Sequence, residues 1–287
     1  MRHANRAMAS AKRRHEGYVF SEGDVAEPAH EELSLTGEMR EALARGEFLL
    51  YYQPKLHLAQ QRIASAEALV RWRHPDKGMI APGRFIPFAE QTGFVREITP
   101  WVLARVIADA AQWRLAGVAV SASANLSALD LLNRDLVSLV RRLLDESSLP
   151  ADRLCLEITE SALMNEPELA LQHLNELAAL GVKLSIDDYG SGQASLAYVK
   201  TLPVHELKID RAFVDGVDAD AKNAAIVRST LLLCRELGLS VVAEGAETQA
   251  ELAWLGSNGC DLVQGYVVAR PMPLDDFLAW VRNFKPA

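Results

Sequence analysis

The sequence has few of the features that mark secreted or membrane-spanning proteins. Its 287 residues include only three cysteines, Cys155, Cys234 and Cys260, which lie far apart and form no CxxC or Cys/His pattern of metal-site spacing. We therefore interpret them as buried thiols in a reducing cytoplasm. No apolar run reaches the roughly 18 residues of a membrane span, and the N-terminus has no apolar signal-peptide stretch. The sequence predicts a cytoplasmic chain without a membrane segment.

Positive charge is also scarce. The chain has 30 Lys and Arg against 38 Asp and Glu, a net charge of −8, and its basic block is limited to Lys12-Arg13-Arg14. Nucleic-acid-binding surfaces need clustered positive charge, so we expect no nucleic acid polymer as a partner. An anionic substrate would need local positive charge or metal ions. The remaining composition, 49% apolar and 24% charged, is that of an ordinary globular protein.

The beginning of the chain differs in pattern from the rest. A basic helical stretch runs from about Arg2 to Arg14, followed by a strand-like piece at Tyr18–Phe20. The acidic stretch from Ser21 to Glu32 is typical of a linker. A helix is predicted from Leu35 to about Arg45, and regular strand and helix units follow it. We therefore divide the chain into residues 1–34 and a main domain of residues 35–287.

Eight strand-like segments can be counted in the main domain. Only about ten residues separate the first two, Phe48–Tyr52 and Ile63–Leu69, and the stretch from Lys55 to Arg62 between them has no helical pattern. Parallel neighbours need a connection of a dozen or more residues, so this pair should be antiparallel. Amphipathic stretches such as 167–180 and 223–237 separate the others, which implies parallel pairing. Those strands are Val118–Asn125, Leu154–Thr159, Val182–Asp188, Glu206–Asp210, Leu239–Glu244 and Asp261–Tyr266. The sequence predicts an irregular eight-stranded α/β barrel.

Six of these segments have, at or near their C-terminal ends, a residue that can bind a divalent metal or handle a phosphate. These residues are Glu67, Asn125, Glu157, Asp187 with Asp188, Lys208 and Glu244. In α/β barrels the carboxyl ends of the strands form the rim where active sites lie. Carboxylate and amide oxygens suit Mg²⁺ or Mn²⁺, and two such ions are a recurring device for phosphate ester hydrolysis. The pattern predicts a metal-dependent enzyme.

Each of these residues also has a simpler interpretation. Glu67 in isolation is more often a solvated carboxylate, and Asp188 before Gly190 can be a turn residue or helix cap. Lys208 can extend from the barrel mouth into solvent. In a site, its ammonium would either stabilise developing negative charge or, with its pKa lowered by nearby ions, transfer a proton. Agreement among six strand ends favours a site.

Short motifs in a fixed order connect these positions. They are Tyr52-Gln53-Pro54, Glu67-Ala68-Leu69-Val70-Arg71-Trp72, Asn125-Leu126-Ser127, Glu157-Ile158-Thr159-Glu160, Asp187-Asp188-Tyr189-Gly190-Ser191-Gly192, Leu207-Lys208-Ile209-Asp210, Ala243-Glu244-Gly245-Ala246-Glu247 and Gln264-Gly265-Tyr266. With them, the chain from about Leu35 to Trp280 resembles the EAL-domain phosphodiesterases of bacterial cyclic di-GMP signalling. The resemblance implies a TIM-like (β/α)8 barrel with one antiparallel strand. It also implies hydrolysis of cyclic di-GMP to linear pGpG with two Mg²⁺ or Mn²⁺ ions.

The resemblance also implies roles for individual residues. One metal ion has the ligands Glu67, Asn125, Glu157 and Asp187, and the second is served by Asp187 and Asp188. The catalytic group comprises Lys208, which orients or deprotonates the attacking water, together with Glu244 and Glu67. The substrate contacts are Gln53 at a guanine, Arg71 at a phosphate, Asp210 and Gln264, the last of which, like Glu244, also contacts the metal-bound waters. Glu160 anchors the loop after Asp188, which the resemblance links to formation of a homodimer.

The chain departs from the family pattern in that loop. Tyr189, Ser191, Gln193 and Ala194 stand where the family usually has Phe, Thr, Tyr and Ser. We expect these changes to affect the rigidity of the loop, the rate of hydrolysis and the link between the loop and dimer formation. We expect them to affect the capacity for hydrolysis itself less. An alternative is a receptor that binds cyclic di-GMP without cutting it, and another is a protein-interaction module that binds no nucleotide. The retained metal-site residues favour the enzyme, and the presence of Arg71 and Gln53 disfavours the module.

Residues 4–20 carry a second resemblance. The segment Ala4 to Arg14, followed by Gly17-Tyr18-Val19-Phe20, resembles the last helix and strand of a GGDEF diguanylate cyclase domain. The GGDEF signature itself is absent, so we expect no cyclase activity. The chain then corresponds to the C-terminal part of a GGDEF-EAL tandem protein, either cytoplasmic or the cytoplasmic part of a membrane-anchored one. The alternative is an unrelated amphipathic helix.

Overall fold

The computed structural model describes residues 26–190 and 196–285. The predicted helix of residues 2–14, the strand of residues 18–20 and the loop positions Ser191, Gln193 and Ala194 lie outside the described residues. The chain divides into two compact units, one up to Glu47 and the other from Phe48 onward.

In the first unit the structure describes one helix, α1 (Ala26–Arg45). It begins before the predicted start at Leu35 and includes part of the stretch that the sequence indicates to be a linker. Near its C-terminus, Glu41 pairs with Arg45 at 2.9 Å, a favourable spacing on a helix surface.

The second unit is a closed barrel of eight strands. In their order around the barrel these are β1 (Phe48–His57), β2 (Arg62–His74), β4 (Ser121–Leu126), β5 (Leu154–Thr159), β6 (Lys183–Tyr189), β7 (Glu206–Ile209), β8 (Ser240–Glu244) and β9 (Leu262–Gln264). Two short strands, β3 (Gly78–Ile80) and β10 (Met272–Pro273), pair outside the barrel with β2 and β1.

Strand direction follows the sequence prediction. β1 is antiparallel to both of its barrel neighbours, β2 and β9, and the pairs from β2 through β9 are parallel. The predicted TIM-like (β/α)8 barrel with one antiparallel strand is therefore confirmed. β1 is longer than predicted, since it continues to His57 and includes Lys55, which the sequence analysis had assigned to the connection between strands.

Helices connect the parallel strands. They are α2 (Ile86–Thr92), α3 (Val95–Leu115), α4 (Ala128–Leu131), α5 (Leu136–Ser147), α6 (Pro167–Ala179), α7 (Leu196–Val199), α8 (Arg211–Val214), α9 (Ala221–Leu237) and α10 (Gln249–Ser257). A further helix, α11 (Leu274–Asn283), follows β10. Single 3₁₀ turns lie at Pro82–Arg84, Ala151–Arg153 and Ala162–Met164. Among the described residues, no helix combines the length and apolar character needed to cross a membrane.

The two faces of β1 serve different parts of the barrel, because side chains alternate along a strand. Tyr52 points outward, where its ring packs against Trp113 and Phe277 at centroid distances of 5.2 and 5.7 Å. Its buried hydroxyl donates to Asp109 Oδ2 at 2.6 Å. Gln53 and Lys55 lie on the opposite face and contact residues of the other barrel strands. Aromatic packing thus holds the strand from outside while its polar residues enter the barrel.

Candidate active site

Lys208 lies at the centre of the predicted site. Its Nζ is 2.6 Å from Glu157 Oε2, 2.6 Å from Glu244 Oε1, 3.0 Å from Asp187 Oδ2 and 3.6 Å from Glu67 Oε2. The four carboxylates come from β2, β5, β6 and β8, so the barrel brings together residues that are far apart in sequence. Because the side chain of Lys208 is 1% exposed, its interpretation as a solvent-directed lysine is wrong.

Glu67 is held at both of its oxygens by side-chain amides. Asn125 Nδ2 donates to Oε1 at 2.7 Å, and Gln264 Nε2 donates to Oε2 at 2.5 Å. Gln264 Nε2 also reaches Gln53 Oε1 at 3.2 Å, while Gln53 Nε2 donates to the Ala269 carbonyl at 3.2 Å. Because Glu67 and the Ala269 carbonyl only accept hydrogen bonds, these contacts fix the orientation of both glutamine amides. Glu67 is therefore an ordered carboxylate and not a solvated one.

Gln264 keeps one polar atom for another partner. Its Oε1 is buried, and within the described part of the chain it has no hydrogen-bond partner. Buried acceptors are normally satisfied by protein or by ordered water. We expect this oxygen to accept a hydrogen bond from a bound water or ligand at the cleft.

Asp188 follows Asp187 at the rim with an unusual backbone conformation. Its φ is +54°, in the left-handed region that is uncommon for residues other than glycine. The Asp188 amide donates to Asp187 Oδ1 at 2.9 Å, and oxygens of Asp187, Asp188 and Glu244 lie within 4.8 Å of one another. Asp210, one of the predicted substrate contacts, caps helix α8 by accepting from the Ala212 amide at 2.7 Å. It also interacts with Asp188.

Burial and crowding shift the acidities within the cluster. Burial raises the pKa of Glu67, Asp187 and Asp188, and it raises that of Glu244 to about 8 even though Lys208 lies beside it, with Asp187 and Glu67 adding to the effect. Burial would also raise the pKa of Glu157, but Lys208 and Lys55 lower it to about 2. Although burial by itself would lower the pKa of Lys208, the surrounding carboxylates raise it well above its usual value. The cluster thus places five carboxyl groups, those of Glu67, Glu157, Asp187, Asp188 and Glu244, near only two lysines, Lys208 and Lys55.

The donor set fits divalent cations. Carboxylate oxygens and an amide oxygen are hard ligands of the kind that Mg²⁺ and Mn²⁺ prefer. Burial raises the pKa values of Glu67, Asp187, Asp188 and Glu244, and added positive charge beside these groups would favour their ionised forms. Divalent ions would supply that charge, and the oxygens of Asp187, Asp188 and Glu244 are close enough to share one.

A cleft of about 290 Å³ opens directly above the cluster. Gln53, Glu67, Lys208, Glu244 and Gln264 line it together with the loop residues Arg211, Glu247 and Tyr266. Arg71 is not among the lining residues. Its guanidinium lies 5.6 Å from the centre of the Tyr51 ring and donates to the Val70 carbonyl at 3.0 Å. Of the predicted substrate contacts, Gln53 and Gln264 lie in the cleft, whereas Arg71 and Asp210 lie beside it.

Glu160 connects β5 to the segment after Asp188. Its side chain is 2% exposed, and its Oε2 accepts a hydrogen bond from the Gly190 amide at 3.2 Å. Its own amide donates to the Asp187 carbonyl at 3.2 Å. Glu160 thus bonds to the backbone on both sides of Asp188, and its role as the loop anchor stays a prediction.

One buried residue of the site, Lys55, is not predicted from the sequence. Lys55 Nζ lies 2.6 Å from Glu157 Oε1, so Glu157 is bound by a lysine at each oxygen. The signal for it was present, since Lys55 is two residues from Gln53 and therefore lies on the same face if the strand continues.

Comparison with known proteins agrees with the resemblance noted in the sequence. The EAL domain family matches residues 36–271. The bifunctional diguanylate cyclase/cyclic di-GMP phosphodiesterase MucR of Pseudomonas aeruginosa is 42% identical over 98% of this chain and 41% of its own length. The cyclic di-GMP phosphodiesterase NbdA of the same organism is 41% identical over 90% of this chain and 33% of its own length. The chain thus spans less than half the length of these relatives.

Solved structures give the same result. The MucR phosphodiesterase in complex with c-di-GMP matches with a TM-score of 0.82 at 42% identity, covering 85% of this chain and 99% of that chain. The EAL enzyme Bd1971, with cAMP and cyclic di-GMP bound, matches with a TM-score of 0.84 at 31% identity, covering 89% of this chain and 70% of that one. On the family match and these relatives, the chain belongs to the EAL domain family.

Proposed function

We propose that this chain is a metal-dependent phosphodiesterase that hydrolyses cyclic di-GMP to linear pGpG in bacterial second-messenger signalling. The observation that carries the proposal is the set of carboxylates from Glu67, Glu157, Asp187, Asp188 and Glu244 around Lys208, at the floor of an open cleft. Relatives named as cyclic di-GMP phosphodiesterases and solved family members with cyclic di-GMP bound support the choice of substrate.

Two divalent ions fit the proposal. Glu67, Asn125, Glu157 and Asp187 would hold one, while Asp187 and Asp188 would hold the other. When bound, Mg²⁺ or Mn²⁺ neutralises charge on the phosphodiester and lowers the pKa of a bound water, and a pair of ions can stabilise both attacking and leaving oxygens.

The residues of the chain then orient the reactants. Lys208, whose ammonium lies among the ligands, would orient the attacking water or exchange a proton with it, and would stabilise charge that develops in the transition state. Glu244 and Gln264 would accept hydrogen bonds from waters at the site. Gln264 has a buried Oε1 without a partner among the described residues, which suits this role.

The substrate would occupy the cleft with a phosphodiester above the cluster. Gln53 lies in the cleft with an oriented amide suited to the edge of a guanine. Arg71 would bind phosphate by turning from its position beside Tyr51, and Asp210 would contact the substrate from the start of α8. Water adds to phosphorus as one ester P–O bond breaks, so one guanosine keeps the phosphate and the other gains a free hydroxyl.

The proposal is tested by incubating purified protein with cyclic di-GMP and Mg²⁺ or Mn²⁺, with and without EDTA, and separating the products by chromatography. We expect pGpG to form with either metal and EDTA to stop its formation. Binding of cyclic di-GMP without any product would contradict the enzyme and identify the chain as a receptor. Neither binding nor product would contradict both functions.

The proposal extends to the domains of the chain and to the longer protein that would contain them. Residues 1–34 would be the end of a GGDEF domain and a short connection, and residues 35–287 the EAL domain of a longer, homodimeric protein that acts in the cytoplasm. MucR and NbdA are both longer than this chain, which covers 41% and 33% of their lengths. Cyclase assays on the purified chain should detect no cyclic di-GMP synthesis from GTP, because the GGDEF signature is missing.

A further inference from the structure

Lys55 is a fully buried cation inside the barrel to which the proposed reaction assigns no role. Its side chain is 0% exposed. Nζ lies 2.6 Å from Glu157 Oε1, 3.2 Å from Ser123 Oγ and 3.2 Å from Glu206 Oε1. Each N–H donor of the ammonium thus has an acceptor. A buried charge of this kind persists only when it is paired and hydrogen-bonded, so the position of Lys55 is fixed by these contacts.

Because of the contact with Lys55, the two oxygens of the Glu157 carboxylate have different partners. Oε1 accepts from Lys55, whereas Oε2 faces Lys208, around which Glu67, Asp187 and Glu244 also lie. Glu157 is itself 0% exposed, so no water contact at the surface competes for its oxygens. The interaction with Lys55 therefore sets the rotation of the carboxylate, and with it the oxygen that faces the cluster.

The strand carries a local irregularity at this position. The register between β1 and β2 shifts between Lys55 and Leu56, because Lys55 pairs with Ser65 and Leu56 with Ile63, which leaves Ala64 without an opposite residue. Such bulges redirect side chains and are common near active sites. Here the bulge lies where β1 sends a lysine across the barrel to β5 and β7.

We propose that Lys55 is a positioning residue for the metal centre. By holding Glu157 through Oε1, it keeps Oε2 turned toward the cluster as a metal ligand. This role rests on the proposed metal-dependent function. Hydrogen-bond partners behind metal ligands commonly change metal affinity by about 10-fold to 100-fold when they are removed.

The role can be tested by titrating metal-free protein with Mn²⁺ and following the free ion by electron paramagnetic resonance. Lys55→Met should weaken Mn²⁺ binding by about 10-fold to 100-fold. Glu206→Gln is the matched control, since it removes the negative charge of another partner of the same lysine and leaves the contact with Glu157 in place. We expect its Mn²⁺ affinity to stay close to that of the wild type, although its melting temperature can fall.

Unchanged Mn²⁺ affinity in Lys55→Met would overturn the positioning role, as would an equal loss in Glu206→Gln. If the wild-type protein bound no Mn²⁺, the proposed metal-dependent function would fail first, and this separates the two failures. Thermal unfolding of each variant shows whether a loss of affinity reflects a loss of folded protein.

If the Lys55→Met variant does not fold, two further measurements still test the proposal. The double variant Lys55→Met/Glu206→Gln removes one partly buried carboxylate together with the lysine, so less charge is left unpaired, and the same loss of Mn²⁺ affinity is expected. A crystal structure of the wild-type protein with Mn²⁺ should keep Lys55 bonded to Glu157 Oε1 while Glu157 binds the ion. A Lys55 turned away to Glu206 alone would overturn the proposal.

Discussion

At the scale of single residues, Lys208 tests the site most directly because it contacts four carboxylates. We expect Lys208→Ala to reduce pGpG formation by about 10²-fold to 10⁴-fold, the usual range for a group that assists proton transfer. Cyclic di-GMP binding, measured by calorimetry, should remain detectable because Gln53 and Gln264 still line the cleft. Loss of folding, monitored by circular dichroism, would instead support a structural role in pairing the buried carboxylates.

Substitution of Glu67, which lies on β2, is a second test of the metal site. Glu67→Ala removes a proposed ligand and also leaves the amides of Asn125 and Gln264 without their acceptor. Initial rates of pGpG formation should fall to background at every Mn²⁺ concentration tested. Glu146→Ala is a suitable control, since Glu146 lies exposed on α5 in a surface pair with Arg142, and it should retain the wild-type rate. A wild-type rate in Glu67→Ala would remove Glu67 from the site.

The residues of this site differ in how far the sequence alone could predict them. The carboxylates at strand ends were predictable because parallel strands in a barrel bring their carboxyl ends to one rim. Lys55 was not predicted because β1 was expected to end at Tyr52. Its partner Glu157 lies 102 positions away in sequence, and local patterns carry no information about a pair so distant.

At the scale of secondary structure elements, the segment that follows β6 depends on Glu160. We expect Glu160→Ala to lower the rate of pGpG formation, because the Gly190 amide loses its acceptor and the backbone at Asp188 loses support. Glu160→Gln keeps an acceptor oxygen at the same place and should lose less activity. Steady-state rates and Mn²⁺ affinity for the two variants check this order, and equal rates in both would argue against anchoring by this hydrogen bond.

The turn after β9 depends on a close approach of two backbone segments. A Cβ at Gly265 would lie 2.0 Å from the Ala246 carbonyl oxygen, so Gly265→Ala should destabilise the fold by about 1–3 kcal/mol. Gly256→Ala is the matched control, because nothing lies within 4 Å of that site in helix α10. It should stabilise the protein by about 0.5–1 kcal/mol, the helix preference of alanine over glycine. Urea unfolding followed by fluorescence measures both changes.

Element boundaries show where the sequence was informative. Helices α6 and α9 lie close to their predicted ranges because amphipathic periodicity marks them. The short strands β3 and β10 were not predicted. Each has at most three residues, too few for a periodic pattern, and each depends on pairing with a strand elsewhere in the chain.

At the scale of the whole molecule, the proposed homodimer predicts a specific mass. Light scattering coupled to size exclusion should give twice the 31.5 kDa of the chain. The loop after Asp188 is the proposed link to the dimer, so restoring the usual family residues with Gln193→Tyr and Ala194→Ser should shift the equilibrium further toward the dimer. A monomer at all concentrations, in both proteins, would contradict the proposal.

Because side chains alternate between the two faces of β1, the strand should not tolerate the insertion or deletion of a single residue. One face of the strand carries Gln53 and Lys55 into the barrel, while Tyr52 on the other face packs against Trp113 and Phe277. Inserting or deleting one codon before Tyr52 would exchange the two faces, because a shift of one residue reverses every side chain of a strand. Aromatic rings would enter the barrel and the lysine would face the helices. Natural length variation among relatives should therefore be confined to the loops on either side of this strand.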